Sequence, residues 1–301
     1  KKFVNNDIFK TLSELSEKLK IQTFVVGGWV RDSLLKRKSK SRDIDIVCNE
    51  KAIELAKKIA KKLKTKEVII YKNFGTALVK YKSWQIEFIS ARTEFYNIDS
   101  RKPHIKLGTM EDDQKRRDFT INAMSISLNK QNFGELIDPF NGLEDLEKKI
   151  IKTPLSPDKT FSDDPLRMLR AIRFSNQLNF EIEKSTLKSI YKNYKRTNIL
   201  SIERILEEFN KILLCQKPSN GIKILFNSGI LNMFFQEMCN LHGVEKINNH
   251  THKDNFYHTL EVIDNVRKKS NNIWLIWAAL LHDIAKPKTK KYNEKDGWTF
   301  H

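Results

Sequence analysis

The stretch that most constrains this chain runs from Phe24 to Val47, FVVGGWVRDSLLKRKSKSRDIDIV. Phe24, Val25 and Val26 form an apolar run of β character that stops at Gly27 and Gly28, where no side chain obstructs a ligand. A short helix is expected from Trp29, then a basic loop and a second strand carrying Asp43 to Val47. The main-chain N–H groups of the glycine turn and helix start offer an anion cradle, and Arg31 adds fixed positive charge. Side chains alternate along a strand, so Asp43 and Asp45 share one face while Ile44 and Ile46 point to a core. Two carboxylates held side by side repel each other unless a cation sits between them, and their usual use is Mg²⁺ bound to substrate phosphates. A double glycine alone is a turn, and D-x-D alone is a solvated strand face. Their order, with Arg31 and Arg42 between them, is what makes the pattern specific.

A chain of 301 residues has room for two or three domains. Its 55 Lys and Arg against 37 acidic residues give a formal charge of +18, which calls for a polyanionic partner, RNA suiting better than a membrane. No apolar run approaches the ~20 residues of a membrane span, and no signal peptide opens the sequence. Cys48, Cys215 and Cys239 are odd in number and lie in apolar contexts, as reduced core thiols of a cytoplasmic protein would. With no initiator Met and an abrupt GWTFH at the end, the sequence reads as a piece of a longer protein.

Ile8, Phe9, Leu12, Leu15 and Leu19 recur at helical spacing, as do Ile53, Leu55, Ala56, Ile59 and Ala60. Lys57, Lys58, Lys61 and Lys62 form the solvated face of the second helix. Strands are expected at Val68–Tyr71, Thr76–Tyr81 and Gln85–Ser90. In the last, Ile86 and Phe88 face the core and Glu87 the opposite side; beside the D-x-D strand it would complete a three-carboxylate site. From Thr93 to Asp113 the periodicity is lost and a long polar loop is expected. KRRDFTINAMSISL follows: Asp118 is placed to cap a helix, and Phe119, Ile121 and Met124 can pack. A purely structural helix start would not require two arginines and an Asn on its polar side. Beyond Thr160 the pattern is helical throughout, with no further strand expected. Lys184, Lys188, Lys192, Lys195 and Arg196 read either as an RNA path or as a solvated face.

GGWVRD followed by RDIDIV, with KRRDFTINA downstream, resembles the nucleotidyltransferase superfamily related to DNA polymerase β. Within it, the string is similar to the class II branch, the tRNA CCA-adding enzymes and bacterial poly(A) polymerases. The resemblance implies an α+β fold: a nucleotidyltransferase head with a mixed sheet over residues 1–138, a helical neck over 139–215, and a helical body with a truncated HD domain over 216–301. It implies that Asp43, Asp45 and Glu87 are catalytic, with Mg²⁺ on the two aspartates. Gly27, Gly28, Arg31 and Asp32 would hold the triphosphate, and Arg117, Asp118 and Asn122 the ribose and phosphates. IDPFNGLEDLEKKI matches the hinge motif, and SIERILEEFNKILL, with Glu203 and Arg204, a supporting helix. The loop at 93–113 would be the flexible loop that helps the switch from adding C to adding A.

The resemblance also makes DPLRMLRAIRF a base-reading template, with Asp164, Arg167, Arg170 and Arg173 binding nucleotide and Asp163 standing where Glu is commoner. Asp164 and Arg167 are three apart on a helix and therefore neighbours. A carboxylate only accepts hydrogen bonds and a guanidinium only donates them. Cytosine and adenine both present an amino donor beside a ring acceptor, so one such pair reads both; uracil and guanine offer the opposite order. His258 in FYHTLEVIDN and His282-Asp283 in WAALLHDIAKP resemble the HD metal-binding family, with His301 a further candidate ligand. The downstream Asp of that family is absent, so weak metal binding is expected. The implied reaction adds C, C and A to the 3′ end of tRNA from CTP and ATP. Poly(A) or A-only addition shares every head motif, and an HD phosphohydrolase with an RNA-binding head is the rival from another class.

Overall fold

Residues 3–37, 42–72, 75–97, 100–247, 250–251, 253–293 and 297–300 are described by the computed structural model. The chain divides into two units, Lys1–Ser156 and Pro157–His301. In the first, α1 (Asp7–Leu19) is capped by Asn6, whose side-chain oxygen accepts from the Phe9 N–H at 3.0 Å. β1 (Thr23–Val26), α2 (Gly28–Leu34), β2 (Arg42–Cys48) and α3 (Ala52–Leu63) follow. Next come β3 (Val68–Tyr71), β4 (Thr76–Tyr81) and β5 (Trp84–Ser90), close to the expected limits.

One seven-stranded sheet runs β3-β4-β5-β2-β1, ending in β8 (Ser125–Ser127) and β9 (Leu136–Ile137). β2 and β5 are parallel, and the other neighbours are antiparallel. Ile44, Ile46, Ile86 and Phe88 are fully buried, as the alternation predicts. They lie on the face that α3 covers with Leu55, Ala56 and Ile59. Ala52 rather than Ile53 completes that helix's buried stripe, and Lys57, Lys58, Lys61 and Lys62 are exposed.

Residues 93–113 correct the expected loop. They hold a hairpin, β6 (Arg92–Asn97) with β7 (Ser100–Leu107), followed by α4 (Met110–Lys115). A two-stranded ribbon leaves each strand an open edge, which tolerates Pro103. At the base of the hairpin a Cβ on Gly108 would stand 2.9 Å from the Thr93 nitrogen, so the chain closes there only as glycine. α4 is held by a reciprocal capping box between Thr109 and Asp112.

α5 (Thr120–Ala123), α6 (Gly142–Glu147) and β10 (Ile150–Ile151) complete the unit. The Asp138 carboxylate accepts from the Gly142 N–H at 2.7 Å and the Leu143 N–H at 2.8 Å, which ties the turn to the start of α6. Asp145 on that helix accepts the Thr120 hydroxyl at 2.7 Å.

The second unit is mainly helical: α7 (Pro157–Asp163), α8 (Leu166–Leu178), α9 (Lys184–Asn193), α10 (Ile202–Leu213), α11 (Pro218–Asn227), α12 (Ile230–Phe234), α13 (Gln236–Cys239), α14 (Asn255–Lys269), α15 (Ile273–Leu281) and α16 (Lys286–Thr289). Short strands interrupt it, against expectation: β11 (Glu181–Ile182), β12 (Lys246–Ile247), β13 (His250–Thr251), and the hairpin β14 (Lys290–Asn293) with β15 (Gly297–Phe300). The last hairpin joins Tyr292 and Trp298 across the strands, ring centroids 5.3 Å apart. Cys48 and Cys215 are buried and none of the three cysteines is in a disulfide, but Cys239 is only half-buried, less of a core thiol than its context suggested. No helix among the described residues is long and apolar enough to cross a membrane.

Gly142 is the tightest point of the first unit, since a Cβ there would stand 2.3 Å from the Thr120 carbonyl oxygen. Gly142→Ala must push apart α5 and α6, and we expect a loss of about 1–3 kcal/mol in denaturant unfolding at unchanged m-value. An unaltered midpoint would show that this contact opens freely.

Candidate functional site

Strand register assembles the acidic centre. β2 pairs with β5 so that Asp45 lies opposite Glu87, and with β1 so that Asp45 lies opposite Val26. Asp43 stands two residues earlier on the same face of β2. Asp45 is half-buried while Asp43 and Glu87 are exposed, so the carboxylates line an open surface above an apolar floor. Partial burial raises the Glu87 pKa above the usual carboxylate range, and the neighbouring Asp45 charge adds to it. That repulsion is what a bound cation would relieve.

Gly27 closes the site from the side of β1. Its φ is +74°, and a Cβ there would lie 3.1 Å from Arg117 Nη1 and 3.3 Å from Asp45 Oδ2. Glycine therefore does two things at this position: it allows the turn, and it leaves space between a carboxylate and a guanidinium. The Gly27 N–H is spent on the Met124 carbonyl at 3.4 Å, so the expected anion cradle is one main-chain donor smaller than the turn suggested.

Arg31 is buried at 4% exposure. Its Nε and Nη2 reach Asp32 at 2.9 and 3.0 Å, and its Nη1 donates to Asn122 Oδ1 at 2.7 Å. Asn122 in turn donates to Asp118 Oδ1 at 3.0 Å, and the same oxygen accepts the Phe119 N–H at 2.9 Å. Asp118 therefore does not cap α5 as expected, since Phe119 holds the cap position. It fixes Asn122, and the four side chains form one polar chain under the glycine turn.

Asp113 is the residue that sequence reasoning passed over. It is fully buried, and its Oδ2 accepts from Arg117 Nε at 3.1 Å and Nη2 at 2.9 Å. Its Oδ1 accepts from Arg116 Nε at 3.0 Å, with Arg116 Nη2 also on that oxygen. Burial alone would raise its pKa, but Arg117 and Arg116 outweigh it and hold the carboxyl below the usual range. Gln114 next to it donates to the Ala123 carbonyl at 2.9 Å and to Ser125 Oγ at 3.2 Å, anchoring α4 on the elements that carry Asn122. The signal was present as an acid three and four residues before two arginines.

In the second unit Asp164 Oδ1 accepts the Leu166 N–H at 3.1 Å, the main chain of Arg167 bonds to Asp164 at 3.0 Å, and both side chains are half-buried. The two residues thus share the start of α8. Arg173 instead lies against α10, its Nε 2.8 Å from Oε2 of the buried Glu208 and its guanidinium 4.0 Å from the Phe174 ring centroid. Arg170 also stacks toward that ring, at 5.3 Å. Glu203 and Arg204 are exposed on α10, and Glu208, which the pattern did not single out, is its buried acid.

His258 on α14 and His282-Asp283 at the end of α15 come together, one ligand atom from each lying within 4.8 Å of the others. His282 Nδ1 lies 2.7 Å from the Ala279 carbonyl, which can only accept, so Nδ1 carries the proton and Nε2 is left to face the cluster. Lys286 Nζ reaches Asp283 Oδ2 at 2.8 Å and competes for the same oxygen. His301 lies outside the described residues, as do the side chains of Arg42 and of residues 94–104.

Comparison with known proteins finds three family matches in succession along the chain. The "Poly A polymerase head domain" family matches residues 23–152, the "Probable RNA and SrmB-binding site of polymerase A" family 179–241, and the HD domain family 255–301. The A-adding tRNA nucleotidyltransferase of Aquifex aeolicus is 43% identical over 168 residues, 56% of this chain and 20% of that protein. The CCA-adding enzyme of Bacillus velezensis is 35% identical over 227 residues, 75% of this chain and 54% of the relative. A tRNA nucleotidyltransferase crystallised with a primer tRNA and an ATP analogue superposes with a TM-score of 0.69 at 26% identity, covering 90% of this chain and 75% of that one. The chain thus spans about half the length of the CCA-adding relative and a fifth of the A-adding one.

Asp113→Asn should leave two partly buried arginines without their counter-charge and cost about 3 kcal/mol at neutral pH. Because the folded pKa lies below the unfolded one, the wild-type advantage is fully present above the unfolded value near ~4 and fades as pH falls toward the folded value. Unfolding of both proteins from pH 7 to pH 2 checks this; a difference that stays constant across the range would contradict it.

Proposed function

Because the chain belongs to the family that joins a poly A polymerase head to RNA-binding and HD domains, we propose that it transfers nucleotides from CTP and ATP to the 3′ end of tRNA. The observation that carries the reading is the register of Asp45 opposite Glu87, beside Gly27 and Arg117. Carboxylate oxygens on rigid strands suit a hard oxygen-seeking cation, so Asp43 and Asp45, with Glu87 beside them, would hold Mg²⁺. Held there by Asp43, Asp45 and Glu87, Mg²⁺ would supply a lowered pKa for the 3′-hydroxyl and charge compensation for pyrophosphate. The protein's own contribution is position. Gly27 leaves room for phosphates between Asp45 and Arg117. Arg31, paired with Asp32, braces the turn from beneath, and Asp118 and Asn122, bonded to each other, would meet the ribose. Asp113 aims Arg117 at the turn.

His258, His282 and Asp283 would hold a second divalent metal, whose chemistry is activation of water. The mixed nitrogen and oxygen donors fit a transition metal, and Lys286 weakens the fit. The head reading is favoured over a phosphohydrolase because every head residue the family requires is present. Cytoplasmic work suits a chain whose substrates are tRNA and nucleoside triphosphates.

The deciding experiment supplies CTP, ATP and a tRNA lacking its CCA end to the 301-residue chain. C-C-A addition supports the reading. Addition of A alone, to a tRNA already ending in C-C, would make this an A-adding enzyme, as the identity to the Aquifex protein favours. Asp43→Ala or Asp45→Ala should remove at least about 10³-fold of the rate, the scale on which charge stabilisation acts, while tRNA affinity is kept. Substantial Mg²⁺-dependent activity in either variant would refute the metal assignment.

Asp164 and Arg167 are the proposed base readers. A wrong base would leave their hydrogen-bonding groups unpaired, at about 1–3 kcal/mol each. Arg167→Ala should therefore slow CTP and ATP use together and narrow the preference over UTP and GTP by roughly 10- to 100-fold. Equal loss of all four nucleotides would assign the pair a structural role and place base reading elsewhere.

A further inference from the structure

The second unit contains a cavity that none of the proposed chemistry uses. It has a volume of about 460 Å³, within the range of small-ligand sites, and is bounded by the end of α8, β11, α9 and α11. Ile182, Leu187 and Ile224 give it apolar walls, and Asn176, Asn220 and Lys223 bring polar groups to them. The Asn176 side-chain nitrogen is buried with no acceptor among the described residues. At the rim stands Tyr191, 42% exposed. A second exposed tyrosine, Tyr257 at 44%, lies across Lys223, whose Nζ is 5.8 Å from its ring centroid.

The helix bearing Tyr191 separates its lysines by face. Lys192 is drawn to Asp158 at 2.5 Å. Lys184 and Lys188 fall at i−7 and i−3 from Tyr191 and so share its side of α9, and Lys195 follows in the 3₁₀ turn beyond the end of that helix. All three are exposed, and none has an acidic partner within 4 Å among the described residues. A row of free cations beside exposed aromatic rings is the arrangement that binds single-stranded nucleic acid, with lysines following the phosphates and bases stacking on rings. The cavity adds what a flat platform lacks, a recess with an apolar lining and amide edges.

We propose that this recess takes one unstacked nucleobase of a single-stranded RNA segment, stacked on Tyr191, while Lys188 and Lys223 contact the flanking phosphates. The proposal rests on the RNA-binding part of the reading above and not on the transfer reaction. Asn side chains both donate and accept, so they exclude no base, and binding should tolerate sequence.

The test is the affinity of the 301-residue chain for a labelled single-stranded RNA and for the same strand in a duplex, at several salt concentrations. Tyr191→Ala should weaken single-strand binding roughly 5- to 100-fold, leave duplex binding unchanged and leave the salt slope intact, because stacking releases no counterions. Tyr191→Phe should retain parental affinity. Lys188→Gln should reduce the slope by about 0.7, the loss of one single-strand phosphate contact. If Tyr191→Ala and Lys223→Gln both bind the single strand as tightly as the parent, the recess is not an RNA site. That result would also follow if the tyrosines dock a protein. A chain that binds RNA in this pattern but adds no nucleotide would refute the reaction and leave the recess standing. A chain that adds nucleotides with both variants binding normally would do the reverse.

Discussion

The parallel pairing of β2 with β5 is the constraint on which the first unit depends. It sets Asp45 and Glu87 opposite each other on one face, and the Glu87 pKa is raised first by desolvation and then by the Asp45 charge. Like charges so placed would be avoided in a sheet selected for stability alone. Here the strands cannot slip to relieve them. A one-residue slip of β2 would turn Ile44 and Ile46 out of the core and Asp43 and Asp45 into it, and a slip of β5 would do the same with Ile86, Phe88 and Glu87. The buried face therefore holds the repulsive face in place, and the unfavourable electrostatics become a standing preference for a cation.

The same logic runs through the buried charges around the turn. Arg31 and Asp113 are inaccessible to solvent, yet each is saturated by partners: Asp32 and Asn122 for the one, Arg116 and Arg117 for the other. Ion pairs of this kind contribute little net stability compared with apolar groups of the same shape. Their gain here is orientation. A guanidinium gripped through Nε and Nη2 by one carboxylate has its Nη1 edge fixed, and in Arg117 that edge faces Gly27.

Much of this was legible in the residues. Alternation set the face of Asp43, Asp45 and Glu87, and apolar spacing set α1, α3 and strands β3 to β5, because these elements bury one clear face. What failed was where tertiary context overrides local pattern. The sequence at 92–107 shows no clear alternation to announce a hairpin, and its Pro103 argued against a strand. Asp118 had the position of a cap, yet the demand of Asn122 for an acceptor decided its direction. Asp113 was hidden because an acid before arginines is commonly a solvated helix pair; only its complete burial reveals otherwise. The β14–β15 hairpin carried a real cue in the sequence, Tyr292 and Trp298 on either side of an Asp-Gly dipeptide, which the helical context of the preceding segment obscured.

The two acidic clusters of the chain make a final contrast in how neighbours define a site. In the head, Asp43, Asp45 and Glu87 offer only oxygen, which would suit a hard cation. At His258, His282 and Asp283 the donors are two imidazoles and one carboxylate, and a lysine already neutralises the acid at 2.8 Å. Imidazole nitrogen favours borderline metals over Mg²⁺. The first set offers only oxygen and the second mixes imidazole nitrogen with a paired carboxylate, so one ion type would not suit both equally. Under the proposed reading, cation choice would follow from what stands beside each acid: the Glu87 carboxylate opposite Asp45, the Lys286 ammonium beside Asp283.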